Sequence, residues 1–121
     1  LGDKYNAKFK DVANANQNVD RIDIYYFYAD WCPHCKNARP DWDKFRATYH
    51  GKLLKNGNVK INCKDMDCSD GTVADAHKEE YDVSSYPTIK CYIDGDMNEP
   101  IDYDAKISYE LLETFVKELT G

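Results

Sequence analysis

Residues 22–28 read Ile22-Asp23-Ile24-Tyr25-Tyr26-Phe27-Tyr28, and the next short step of chain leads to Cys32-Pro33-His34-Cys35. A run of β-branched and aromatic side chains favours a buried strand. Beyond the cysteines, Ala38, Trp42, Phe45 and Tyr49 recur at helical spacing, so a helix follows. Pro33 suits its first turn, where a missing N–H costs nothing. Pro40 falls inside the helical pattern and is expected to kink it. A strand running directly into a C-x-x-C at a helix start points to a layered α/β arrangement.

The rest of the pattern extends that arrangement. Residues 59–63 read as a second strand, 72–81 as a helix, 88–94 as a third strand and 101–103 as a short fourth, with Asp94-Gly95-Asp96 as a turn. Leu111, Leu112, Phe115, Val116 and Leu119 form one apolar stripe on a last helix capped by Ser108. Gly51 and the Asn56-Gly57 pair are expected to end the C-x-x-C helix. Residues 64–71 are expected as an inserted polar loop. Residues 1–20, with Tyr5, Phe9 and Val12 at helical spacing, are expected as an N-terminal helical extension. The expectation is one domain over residues 1–121, with a central mixed sheet of about four strands and helices on both faces.

Composition excludes several functions. The chain has 121 residues, a single-domain length, with 42% hydrophobic and 31% charged residues. That balance argues against wholesale disorder, and no apolar run is long enough to cross a membrane. Sixteen basic residues against 22 acidic ones give a net charge of −6, which disfavours a nucleic acid as partner.

The chemistry concentrates at Cys32 and Cys35. A thiol at a helix N-terminus meets unpaired backbone N–H groups and the positive end of the helix dipole, which favour thiolate over thiol. A protonated His34 would add to that field. Cys35, one turn on, is placed to resolve a mixed disulfide. Duller readings compete: half of a zinc site completed by Cys63 and Cys68, or a merely structural disulfide. A c-type haem site would need histidine where Lys36 stands. Cys91 alternates with Ile89 and Ile93 and reads as an inert buried thiol. Cys63 and Cys68 could close a short local disulfide or remain two free thiols. His50 and His77 read as surface residues, and Asp65, Asp67 and Asp70 as a solvated loop, because the twelve-residue calcium frame is absent.

Residues 28–36, Tyr28-Ala29-Asp30-Trp31-Cys32-Pro33-His34-Cys35-Lys36, resemble the active-site segment of the thioredoxin superfamily. Pro40 is similar to that family's helix proline, Tyr86-Pro87-Thr88 to its cis-proline loop, and the likeness covers roughly residues 20–120. The resemblance implies a thioredoxin fold and a thiol–disulfide oxidoreductase acting on protein substrates. It implies Cys32 as the attacking thiol, Cys35 as the resolving one, and Pro33 and His34 as tuning the pair. Trp31, Tyr86, Pro87 and Thr88 would then form the substrate-binding surface, with no metal or organic cofactor. One departure from the family is informative: Tyr26 replaces a buried acid, while Lys60 matches the lysine that accompanies that acid. The Pro33-His34 dipeptide is similar to DsbA-type oxidases, which implies a pair more oxidising than thioredoxin, a disulfide donor or isomerase. An interaction module of the same fold with weak catalysis is the alternative. The partners implied are protein thiols or disulfides and an unidentified redox partner, with the chain a monomer; an oxidising compartment is favoured over the cytosol.

Overall fold

The computed structural model describes residues 19–55 and 57–120 of the chain. Strand β1 (Arg21–Tyr28) leads into helix α1 (Pro33–Tyr49), followed by β2 (Leu53–Leu54), β3 (Val59–Asp67), α2 (Gly71–Tyr81), β4 (Thr88–Ile93), β5 (Ile101–Asp102) and α3 (Tyr109–Thr120). The strands form one mixed sheet in the order β2-β3-β1-β4-β5. β1 lies at its centre, parallel to β3 and antiparallel to β4. A central strand is covered on both faces, which is why residues 22–28 show no clean polar alternation.

One face carries α1 and α3. Trp42, Phe45 and Tyr49 of α1 and Leu112, Phe115, Val116 and Leu119 of α3 close over Ile22, Ile24, Tyr26, Ile61, Cys63, Ile89 and Cys91. The other face carries α2 alone, over Phe27, Met66, Cys68 and Val83. There the rings of Tyr81 and Tyr92 meet Tyr25 edge-on at 5.6 and 5.2 Å. No residue of α2 is fully buried, so this layer is the thinner one.

The sheet has five strands where about four were expected. The additional strand β2 pairs with β3 through a turn in which Lys55 and Gly57 take φ of 53° and 88°. Gly57 therefore belongs to this hairpin and not to the end of α1, which stops near Gly51 (φ 79°). Helix α1 continues through Pro40 as one element of 17 residues. The expected loop over residues 64–71 is strand as far as Asp67, because β1 extends to Tyr28 and its backbone needs a partner along that length. Only residues 68–70 link β3 to α2. The N-terminal extension lies outside the described residues except for Val19, which is buried, and Asp20, whose N–H donates to Asp94 Oδ1 at 2.9 Å.

Candidate active site

At the C-terminal end of β1 the chain turns through Ala29-Asp30-Trp31 into α1. Cys32 occupies the N-cap of that helix in extended conformation, with Pro33 in the first turn. Its N–H donates to the carbonyl of Ala29 at 3.1 Å, and its own carbonyl accepts from Lys36 N at 3.2 Å. Cys32 and Cys35 are only 6% and 3% exposed, while Trp31 is 63% exposed and Pro33 and His34 stand in solvent.

The two thiols differ in character. Burial alone would raise Cys32, but hydrogen bonds from the Cys35 thiol and from the backbone N–H groups of Cys35 and His34 hold it below the ordinary thiol value. Burial pushes Cys35 up to about 11; a backbone hydrogen bond at Ala29 works against this, and the neighbouring sulfurs of Cys32 and Cys68 add to it. The helix start thus divides the pair into a thiolate-favouring outer sulfur and a protonated inner one.

The Tyr86-Pro87 peptide bond is cis, and the Tyr86 carbonyl lies 3.6 Å from Cys32 Sγ. The Tyr86 ring meets Trp31 edge-on at 6.1 Å. Thr88 Oγ1 donates to the Ser85 carbonyl at 2.7 Å, fixing the far side of the loop. A groove of about 450 Å³ continues from Pro87 and Thr88 past Lys90 and Asp102. The structure therefore brings together Trp31, Cys32, Cys35, Tyr86 and Pro87, with Thr88 at the head of the groove.

Other sequence expectations need correction. Lys60 is exposed and pairs across the sheet with Arg21 and Leu53, whereas the strand partner of Tyr26 is Asp65. Five residues of extended chain, about 16 Å, separate the two positions, so Lys60 does not accompany Tyr26. Cys63 and Cys68 are both free thiols. An odd separation along an extended segment sends them to opposite faces, Cys63 into the α1–α3 core and Cys68 beneath α2, which is incompatible with a local disulfide. Cys91 is buried as expected. Among the described residues no group of histidine, cysteine or carboxylate side chains has the arrangement of a metal site.

The acidic segment is only in part a solvated loop: Asp65 and Asp67 lie on β3, Asp67 and Asp70 are exposed, and all three carboxylates are hydrogen-bonded. Asp65 accepts from Trp42 Nε1 at 2.7 Å and from Arg39 Nη2 at 2.6 Å. Asp67 Oδ1 accepts from Ser69 N at 2.9 Å and from its hydroxyl, and Asp70 caps α2 through Thr72 N and Val73 N. Ser69 in turn receives the Asp30 N–H on Oγ at 2.8 Å and the Trp31 Nε1–H on its carbonyl at 3.3 Å. This clasp on the active-site turn was missed in the sequence, and the Asp-x-Ser-Asp spacing was its only local signal. His77 is half-buried against Phe27 and Tyr81, since the tyrosine four residues on shields it. His50 is exposed but its Nδ1 accepts from Cys63 N at 2.9 Å, covering the edge of β3 beyond β2.

Tyr26 is a core residue with one polar contact. Its hydroxyl donates to the Cys35 carbonyl at 3.1 Å, and its ring stacks on Tyr28 and Trp42 at 5.5 and 4.9 Å. Burial holds its phenol far above the ordinary range, so it supplies no base near neutrality.

The thioredoxin family model matches residues 4–118. The chain belongs to the thioredoxin family. It is 34% identical over 115 residues to protein disulfide-isomerase erp38 of Neurospora crassa, covering 95% of this chain and 28% of that protein. It is 37% identical over 88 residues to protein disulfide-isomerase A6 of Mus musculus, covering 71% of this chain and 18% of that one. The chain thus spans less than a third of the length of these curated relatives. Among solved structures, the first thioredoxin domain of mouse protein disulfide-isomerase A4 superposes with a TM-score of 0.59 at 31% identity, covering 93% of this chain and 71% of that one.

Proposed function

We propose that this thioredoxin-family domain exchanges thiols and disulfides on polypeptide substrates through Cys32 and Cys35. The observation that carries the reading is the split pair itself: an outer sulfur held towards thiolate at a helix N-cap and an inner sulfur held as thiol one turn below. In the reducing direction the Cys32 thiolate attacks a substrate disulfide, forming a mixed disulfide and releasing one substrate sulfur. Cys35 then attacks Cys32 and releases the other. In the oxidising direction a substrate thiolate attacks Cys32 of the disulfide form, and Cys35 leaves as thiolate.

The cis Tyr86-Pro87 loop lies beside Cys32, and the groove past Thr88 offers an extended substrate a course along the sheet edge. Exposed Trp31 supplies an apolar face next to the reacting sulfur. The redox equivalents reside in the two sulfurs, so no cofactor takes part in this scheme.

The direction favoured is disulfide donation or isomerisation. Whatever stabilises the Cys32 thiolate stabilises the reduced form and so raises the potential, and the Pro33-His34 dipeptide, similar to that of DsbA-type oxidases, favours a value above that of thioredoxin. DsbA-like and thioredoxin-like potentials differ by about 150 mV, roughly 7 kcal/mol for a two-electron couple. Equilibration of the pair against glutathione buffers tests this: a midpoint clearly above about −270 mV is expected, and one at or below that value rejects the donor assignment. A donor of disulfides belongs in an oxidising compartment, which is the location proposed.

Tyr26 favours a second reading, an interaction module with an intact but sluggish pair, because β1 contributes no carboxylate beside Cys35. Insulin reduction and oxidation of a reduced test protein separate the two. Turnover in either assay supports exchange, and binding without turnover in both supports the module.

A further inference from the structure

Cys35 must lose a proton before it can attack a mixed disulfide, and its surroundings on this chain are unusual. The titratable and charged groups about it are Cys32, Lys36 and Arg39 from α1, Tyr26 and Tyr28 from β1, and Asp30 from the turn. Asp65, Asp67 and Cys68 come from β3 and the link after it, and Tyr86 from the cis-proline loop. Tyr26 bonds the Cys35 backbone and not its sulfur.

A cavity of about 390 Å³, lined by Tyr28, Ala29, Asp30, Cys35, Lys36 and Arg39, reaches this buried thiol. It is roomy and polar enough to hold water. Arg39 stands four residues after Cys35, on the same face of α1, and a long helical side chain lies back over the turn that precedes it.

The Arg39 guanidinium is fixed on two sides. Its Nε lies 3.0 Å from Asp43 Oδ1, its Nη2 lies 2.6 Å from Asp65 Oδ2, and its carbon sits 4.9 Å from the Tyr28 ring centre and 5.8 Å from that of Tyr26. The remaining corner, Nη1, is buried and has no hydrogen-bond partner among the described residues. A buried charged donor left unmatched is costly, and such an atom is normally met by water or an anion. Both carboxylates bind through the other two nitrogens, so Nη1 is the corner whose charge is not locally offset.

We propose that Arg39 is a positioning residue for the resolving step: its guanidinium, pinned by Asp43 and Asp65, stabilises the Cys35 thiolate across the cavity and orders the water that removes the Cys35 proton. A fixed cation here takes the place of a buried base. The inference rests on the exchange function proposed above. In the step itself, the Cys35 proton passes to cavity water and on to solvent, and the thiolate attacks Cys32 Sγ. The Cys32–Cys35 bond forms as the Cys32–substrate bond breaks. The substrate sulfur leaves with the electron pair and takes a proton from solvent, so the cysteine pair is oxidised as the substrate is reduced.

The test follows decay of the mixed disulfide between the protein and a disulfide-bonded peptide, acid-quenched at intervals over a range of pH. Arg39→Met is expected to slow decay about tenfold at neutral pH and to move its midpoint up by about one unit. Arg39→Lys, which keeps the charge, is expected to recover part of the rate. Alkylation of Cys32 is expected to be unchanged in both variants, which reports an intact helix start. Decay with unaltered rate and midpoint in Arg39→Met overturns the proposal. So does an equal loss in Arg39→Lys, or a loss that falls as heavily on Cys32 alkylation. If the unmutated protein forms no mixed disulfide, the exchange function itself fails and takes this inference with it; normal decay in wild type with an indifferent Arg39→Met sinks this inference alone.

Discussion

Cys32 and Cys35 are three residues apart and experience opposite environments. The outer sulfur collects backbone N–H groups at the helix start, and the inner one is buried in a cluster with Ala29, Tyr28 and Tyr86. Alkylation of the reduced protein as a function of pH should therefore show Cys32 reacting with a midpoint below the 9.0 of an ordinary thiol, and Cys35 ionising near 11. A single shared midpoint near 9.0 would contradict the division. Removing the Tyr26 hydroxyl should matter less. Tyr26→Phe loses one buried hydrogen bond, worth about 1 kcal/mol in denaturant unfolding, and should leave Cys32 alkylation unchanged. At this scale the sequence was most readable where chemistry is local. Trp31, Cys32, Pro33, His34 and Cys35 are contiguous, and the contrast between the two thiols follows from a helix start. Ser69, Asp65 and Arg39 were not readable in the same way, because each acquires its meaning from β3 lying beside β1, a pairing set by residues distant in the chain.

The elements were legible in proportion to how strongly one period dominates them. α3 shows an apolar stripe with a Ser108 cap, whose Oγ accepts from Leu111 N at 3.2 Å, and it was read with its correct face. β3 was read short, because Lys64, Asp65 and Asp67 look like a loop until β1 is known to need a partner as far as Tyr28. β2 was missed, since two residues carry no period. Between α1 and α3 the join is partly polar: the Tyr49 hydroxyl donates to Glu113 Oε2 at 2.7 Å, and the Tyr109 hydroxyl, one turn before Glu113 on α3, donates to the same oxygen at 3.1 Å. The Tyr49 hydrogen bond, more than that of Tyr109, holds Glu113 below the ordinary carboxylate value. A carboxylate depressed on folding adds stability that is complete above its unfolded value of about 4.5 and is lost as pH falls through its folded value. Glu113→Gln should therefore lower stability at neutral pH by about 1 kcal/mol and flatten the acid side of the stability profile. A variant with an unchanged acid limb would remove Glu113 from this role.

For the whole molecule, redox state and folding are linked. If the pair is a disulfide donor, the folded protein favours its own reduced form, and the reduced form must resist denaturant better than the oxidised one. Unfolding both forms in guanidinium is the direct check, and greater stability of the oxidised form would place the protein among reductants. Among the described residues no helix is long and apolar enough to cross a membrane. The net charge of −6 was legible from composition and keeps the surface repellent to polyanions. The sheet also ends on both sides in strands of only two residues, β2 and β5. A molecule that handles partly unfolded chains risks being glued to them by stray backbone pairing along an open edge. The rim strands themselves would give a client of the proposed exchange reaction little to zip onto beyond the groove past Thr88, so grip would gather near the reacting sulfur, and letting go would depend on chemistry there more than on peeling apart a β-ladder.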